Sequence, residues 1–282
     1  MKRVGIVLRD GSGRPAKAAG LLIKHLQKRS VEHIIIHSGD EEIDPEKRAK
    51  RALIPECDVA FAFGGDGTLL FTSRVFSRYG IPIVGINLGG LGFITEFREE
   101  EVIECVECFF RGSFSTEKRM MVDVRIERNG TEMFAEHGLN DMVISTGGIS
   151  RLIEMEIRSG DTLIGTYRAD GIIVATPTGS TAYSLSAGGP ILDPTMKAFL
   201  ICPICSHSLG ARPLVLPSRD NVTLYVLSKK RPAVVTVDGQ IAFDLIDGDL
   251  VRVRRSKIVT KLVSLNKRSF YDIAREKLSW KG

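Results

Sequence analysis

The 282 residues suffice for one large domain or two modest ones, and 43% apolar with 26% charged residues is ordinary globular composition. No apolar run approaches the roughly 18–20 residues of a membrane helix, and Met1–Val4 leads into a strand-like run without the apolar stretch and cleavage site of a secretory signal, so the chain is expected in the cytoplasm. The net charge of +5 suits an enzyme of anionic phosphates; the densest basic stretch, Arg252 to Arg268, alternates with Val251, Val253, Ile258 and Val259 and lacks any aromatic or zinc-finger pattern, so neither nucleic acid nor membrane is an expected partner.

Residues 1–112 alternate strand and helix patterns. Val4–Leu8 is a compact apolar run, and Arg14–Arg29 has helical spacing through Ala18, Leu21, Leu22, His25 and Leu26. His33–His37 reads as a strand, and Asp44-Pro45 opens a short helix. Asp58–Phe63 is a buried strand ending in glycines, Thr68–Tyr79 a helix stopped at Gly80, and Pro82–Ile86 the next strand. Glu99–Phe110 is helical, with Val102, Cys105, Val106 and Phe109 on one stripe. Such alternation predicts right-handed βαβ units and a parallel, Rossmann-like sheet.

Residues 113–268 read as an all-β domain of short alternating strands. Met121–Glu127 and Thr131–Glu136 flank the hairpin signal Asn129-Gly130, and Leu152–Ile157 and Thr162–Arg168 flank Ser159-Gly160-Asp161. Met142–Ile144, Asn221–Leu227, Ala233–Val237 and Leu250–Val253 continue the series. Ser269–Trp280 returns to helical spacing through Phe270, Ile273, Ala274 and Leu278, so residues 269–282 are expected to complete the first domain. The pairs Cys105/Cys108 and Cys202/Cys205 lie too far apart for the usual four-thiolate zinc pattern and are expected to be buried and reduced.

The sharpest local signal is Phe63-Gly64-Gly65-Asp66-Gly67-Thr68. It sits where a buried strand gives way to a helix, and open parallel sheets bind ligands at the carboxyl ends of their strands. Glycines admit a ligand close to the backbone, and the helix start favours phosphate. Asp66 adds a carboxylate there, which repels phosphate unless it holds a metal or takes a proton from an attacking hydroxyl. The plain alternative is a tight turn with a capping Asp. Asn87-Leu88-Gly89-Gly90-Leu91-Gly92-Phe93 follows the next strand, with Phe93 either stacked on a base or buried in the core.

Further along, Tyr167-Arg168-Ala169-Asp170-Gly171 precedes a strand and then Thr176–Pro190, whose dense hydroxyls suit a nucleoside better than a core. Asn140-Asp141 offers an amide and a carboxylate to a ribose diol or an adenine edge, and Asp238-Gly239-Gln240 is a hairpin-type turn. Gly11-Ser12-Gly13-Arg14-Pro15-Ala16 matches the loose dinucleotide fingerprint, which alone is a weak signal. No P-loop is present.

Together these segments resemble the NAD kinase family. The likeness runs in the family's order from Gly64–Thr68 through Asn87–Phe93, Asn140-Asp141, Asp170–Pro190, Pro203–Leu209 and Arg212–Pro217 to Asp238–Gln240 and the closing Phe270–Trp280. Lipid kinases and, loosely, phosphofructokinases share the Gly-Gly-Asp-Gly-Thr loop; Thr178–Pro190 is far more specific. The resemblance implies an α/β domain, a β domain, and phosphorylation of the 2′-hydroxyl of NAD's adenosine ribose. It implies Asp66 as proton acceptor and contacts to NAD from Asp66, Gly67, Phe93, Asn140, Asp141, Arg151, Arg168, Asp170, Thr181, Ala182, Tyr183, Ser184, Leu185, Ser186 and Gln240. It also implies ATP or polyphosphate as donor, a divalent cation such as Mg2+ carried with the donor phosphates, and a homodimer or homotetramer whose NAD pocket borrows residues from a neighbouring subunit. Asp141 stands where Glu is common, and Ser206 replaces a frequent Pro. A lipid or sugar kinase sharing the loop, and a non-catalytic NAD-binding sensor, are the alternatives.

Overall fold

The computed structural model describes residues 2–9, 13–39, 45–90, 92–147, 152–208, 210–227, 232–265 and 268–280, with the side chains of 45–48 left out. The chain divides into two compact units, Met1–Arg119 with Ile258–Gly282, and Met120–Lys257.

The first unit contains β1 (Arg3–Leu8), α1 (Gly13–Lys28), β2 (Glu32–His37), α2 (Pro45–Ala52), β3 (Val59–Gly64), α3 (Asp66–Phe76), β4 (Ile83–Asn87), β5 (Phe97–Arg98) and α4 (Val102–Arg111). β2, β1, β3 and β4 lie in that order, all parallel, and β5 adds to the far edge of β4. Every residue of β3 is buried, as expected of a strand covered on both faces. Ala18, Ala19, Leu22 and Leu26 form the buried stripe of α1 and join Ile6, Phe61, Phe63 and Val106 in one core. The chain steps outward from β1 to β2 and then crosses back to β3 and β4. Its winding therefore reverses between β1 and β3, the place where open α/β sheets take ligands.

The second unit is built from β6 (Ser115–Arg128), β7 (Thr131–Gly138), β8 (Asp141–Thr146), β9 (Ile153–Ser159), β10 (Thr162–Ala169), β11 (Gly171–Ala175), the single turn α5 (Tyr183–Ser186), β12 (Ala198–Ile204), β13 (Leu214–Pro217), β14 (Val222–Val226), β15 (Ala233–Val237), β16 (Ile241–Leu245) and β17 (Leu250–Ser264). Six strands form an antiparallel sheet in the order β13-β12-β11-β8-β15-β16. Its strands alternate strictly: Met142, Ile144, Ile172, Val174, Phe199 and Ile201 face a core shared with β6, β9, β14 and β17, while Val143, Ile173, Ala175, Leu200 and Cys202 face a second cluster.

The closing helix α6 (Phe270–Leu278) belongs to the first unit, buries Ile273 and Ala274, and starts at a capping box in which the Ser269 hydroxyl accepts from the Asp272 N–H while Asp272 accepts from the Ser269 N–H. No helix of the described residues is long and apolar enough to cross a membrane.

Two expectations change. The strand expected over Leu250–Val253 continues to Ser264, because buried Val251, Val253, Ser256, Thr260 and Leu262 prolong the pattern, and Leu262 pairs with Ile83 beside β4. The two compact units divide within β6 and within β17. Finally, Cys105, Cys108 and Cys202 are buried, but Cys205 is exposed: the chain leaves β12 through it at φ +45°, out of line with the strand.

Candidate functional site

β3 and β4 are paired with Gly64 opposite Asn87, so the two glycine-rich loops leave the sheet side by side. Gly64 has no room for a side chain, since a Cβ there would overlap Thr68. Gly65 caps α3 without a side chain, and Asp66 is the helix's first residue. Its carboxylate reaches into the second loop, where Oδ2 accepts the Phe93 N–H at 3.2 Å and Oδ1 accepts the Thr95 hydroxyl at 3.2 Å. Asn87 braces that loop from below: its Nδ2 donates to the Gly90 carbonyl at 2.8 Å and to Thr95 Oγ1 at 3.0 Å, and its Oδ1 accepts the Gly89 N–H at 2.8 Å. A Cβ at Gly92 would overlap both Asp66 and Thr95. The Phe93 ring is half-buried, with Lys277 Nζ of α6 4.9 Å from its centroid. Gly67 is exposed on the first turn of α3.

In the second unit three separate segments are knotted together. Asp238, held at φ +53° in the β15–β16 turn, accepts the backbone N–H groups of Leu139 at 2.8 Å, Asn140 at 2.7 Å and Asp141 at 3.2 Å. Thr176 donates its N–H to the Asn140 carbonyl at 2.8 Å and its hydroxyl to the Leu139 carbonyl at 2.6 Å. A Cβ at Gly179 would run into the Asn140 backbone, so the turn Thr178–Thr181 lies directly on Asn140. Gln240 closes the Asp238 turn, donating its N–H to the Val237 carbonyl at 3.0 Å.

The hydroxyls of this region bond within their own loop. Ser180, Thr181 and Ser184 donate to the carbonyls of Pro177, Thr178 and Gly179, which makes them the internal frame of the loop. Ala182 and Leu185 are half-buried, while Tyr183 and Ser186 are exposed. Two buried polar atoms, Asn140 Oδ1 and Thr178 Oγ1, have no partner. Each such group costs about 1–3 kcal/mol if left unpaired, and a polar ligand bound here would offset that cost.

Arg168 and Asp170 are not part of this knot. Asp170 precedes β11 at the end where Gly171 faces Ser145, whereas Asp141 faces Ala175 at the other end, roughly 13 Å along the strand. The Arg168 carbonyl accepts the His207 N–H at 3.1 Å there. Arg151 lies outside the described residues, as do Gly11 and Ser12 of the loose fingerprint. Among the described residues, no three His, Cys, Asp or Glu side chains are grouped to hold a metal ion. Thr95, Asn87 and Asp238 are the site residues that motif reading undervalued. For Asp238 the signal was available as an Asp-Gly turn; for Thr95, a lone hydroxyl after Gly92-Phe93-Ile94, there was none.

Two carboxyls in these surroundings hold their protons unusually well. Burial, and then the charge of Asp238, push Asp141 from 3.8 up to about 7. Burial likewise pushes Glu96, next to Thr95, from 4.5 up to about 7, against the Ser264 hydroxyl bond and with Glu117 and Glu101 reinforcing it. Between about pH 4 and about pH 7 the native state thus binds more protons than the unfolded chain, and stability falls as pH rises through that window. The thermal midpoint is expected to drop from about pH 5 to about pH 8, and less steeply in Glu96→Gln. An identical slope in that variant would mean that Glu96 is already ionised when folded.

A doubly wound parallel sheet whose first-loop carboxylate stands among glycines, joined in sequence to a β unit with unpaired buried polar atoms, defines a phosphoryl-transferring enzyme of nucleotides. Residues 12–114 match the ATP-NAD kinase N-terminal domain and residues 139–265 the ATP-NAD kinase C-terminal domain. NAD kinases of Heliobacterium modesticaldum and Geobacter sulfurreducens are 41% and 39% identical, each aligned over 99% of both chains. A yeast NADH kinase solved with NADH superposes at a TM-score of 0.89 with 25% identity, over 100% of this chain and 88% of its own. An NAD kinase of Archaeoglobus fulgidus solved with ATP shares the fold at a TM-score of 0.76, with 24% identity, over 99% of this chain and 100% of its own. The chain belongs to the NAD kinase family.

Proposed function

We propose that this chain transfers a phosphoryl group from ATP or polyphosphate to the 2′-hydroxyl of NAD's adenosine ribose, with Asp66 as proton acceptor. The observation that carries the reading is the fixed carboxylate: Phe93 and Thr95 each donate to one Asp66 oxygen and leave further lone pairs for a sugar hydroxyl. A ribose hydroxyl is a poor nucleophile at neutral pH. As its oxygen bonds to phosphorus, the proton passes to Asp66, and the bond to the leaving phosphate breaks with its electron pair staying on the donor remnant. NADP and the shortened donor result.

The unpaired Asn140 Oδ1 and Thr178 Oγ1 support a seat for the ribose and adenine edge at that knot, completed by Asp141, Gln240 and the Thr181–Ser186 turn. Exposed Gly67 and half-buried Phe93 are the proposed contacts beside the reacting ribose. Arg168 and Asp170, at the far end of β11, suit a role toward the NAD of a neighbouring subunit in a homodimer or homotetramer; Arg151 is assigned to NAD by resemblance alone. A divalent cation, Mg2+ in this proposal, would be carried by the donor phosphates and would neutralise part of their charge. The cytoplasm is the proposed compartment.

Incubation with ATP, magnesium and NAD, followed by an NADP-specific dehydrogenase assay, is expected to give NADP. Binding of NAD by calorimetry without NADP formation would instead mean a sensor, and turnover of lipid or sugar alone a different kinase.

A further inference from the structure

We infer that Arg9 and Arg14 grip the phosphate chain of the phosphoryl donor, in a cleft at the point where the winding of the first sheet reverses; the inference rests on the kinase reading above. The cleft holds about 280 Å³ and is lined by Arg9, Arg14, Gly64, Gly65, Asn87 and Gly89 among others. Arg9 immediately follows β1, and its backbone N–H donates to the Phe63 carbonyl of neighbouring β3 at 3.3 Å. One guanidinium therefore starts beside the two glycines that precede Asp66. Arg14 projects from the first turn of α1 and also lines an adjoining hollow of about 210 Å³ that shares Asn87, Leu88 and Gly89. Together the two spaces fall in the usual range of ligand pockets, about 300–1,000 Å³.

The lining chemistry selects the ligand. Glycine backbone at Gly64, Gly65 and Gly89 allows close approach, and two guanidinium forks match the paired oxygens of successive phosphates. Arg14 now pairs with Glu99 at 3.6 Å, with 64% of the Arg14 side chain exposed. An exposed pair of this kind contributes little, so phosphate displaces Glu99 easily. A phosphate chain held here ends at Gly65, next to the carboxylate proposed to take the ribose proton. The shared chemistry is a run of phosphates, whether it arrives as ATP or as inorganic polyphosphate.

The test is steady-state kinetics of the full chain and its Arg9→Ala, Arg14→Ala, Arg9→Lys and Arg14→Lys variants. Magnesium-ATP is varied at saturating NAD, and NAD at saturating magnesium-ATP. Each alanine variant is expected to raise KM for ATP by about tenfold or more, as loss of a charged hydrogen bond does. KM for NAD stays near that of the parent, and the lysine variants recover part of the loss. Tripolyphosphate, as donor or as competitor of ATP, weakens by the same factor, because only phosphates meet the arginines. If both alanine variants keep the parent KM for ATP, or raise both KM values alike, the inference falls. A parent chain that makes no NADP would refute the kinase reading instead.

Discussion

Asp66→Asn is expected to form NADP about 10²–10⁴-fold more slowly than the parent, the range typical of a lost general base. The amide matches the carboxylate in shape and still accepts a hydrogen bond through its oxygen. Its nitrogen, however, must face either the Phe93 N–H or the Thr95 hydroxyl, both of which donate to the carboxylate. Thr95 can turn its hydroxyl and accept instead; the Phe93 N–H cannot. The amide oxygen is therefore expected to settle on Phe93, leaving no base toward the ribose. NAD affinity, measured by calorimetry, is expected to weaken far less than turnover, because Asp66 gives the dinucleotide one hydrogen bond among many contacts but is the only proposed proton acceptor. Turnover near that of the parent would remove Asp66 from its proposed role.

Gly92→Ala is the second substitution with a large expected effect, although it touches no charge. A methyl group at that position overlaps Oδ1 and Cγ of Asp66 and Oγ1 of Thr95. The carboxylate must move away from the methyl group, and so must Thr95, which is tied to Asn87 and through it to Gly89 and Gly90. A shift of about 1 Å in a reacting group costs about 10²-fold in rate. The expectation is a kcat lowered by that factor with a KM for ATP near the parent value and a lowered thermal midpoint, because the hydrogen-bonded second loop shifts as well. An unaltered kcat would mean that the second loop, rather than Asp66, absorbs the methyl group.

Much of the fold could be read from residue periodicity. β1, α1, β2, β3 and β4 lie within one or two residues of their expected spans, because each buries a continuous apolar run or a stripe on one face. The long β17 was only partly legible. Arg254-Arg255 breaks the alternation, and a strand that changes partners along its length has no single repeat to reveal it. Cys205 was misread for a related reason, since a single residue at φ +45° reverses the facing that alternation predicts.

The candidate site was legible where its residues cluster in sequence. Asp66 stood out as a charge among glycines, and Asn140-Asp141 gained meaning from the family resemblance. Hydroxyl density proved ambiguous: Ser180, Thr181 and Ser184 donate within their own loop, and the unpartnered Thr178 Oγ1 looks no different from them in a string of letters. Thr95 and Asn87 act through the geometry of two adjacent strand ends, and no linear pattern records that adjacency.

The first unit is closed by residues that follow the second unit in the chain. Its edge strand partner, from Ile258 onward, and its closing helix emerge from the ribosome only after the whole of Met120–Lys257 has been synthesised. At translation speeds of about 5–20 residues per second, the early α/β segment waits many seconds with Ile83 of β4 lacking its Leu262 partner and Phe93 without the Lys277 cation above it. A nascent chain can therefore assemble its β unit first, and the second glycine loop receives the Lys277 contact only after that unit has been made. Premature termination would leave that contact missing, so incomplete products carry an unfinished phosphotransfer site.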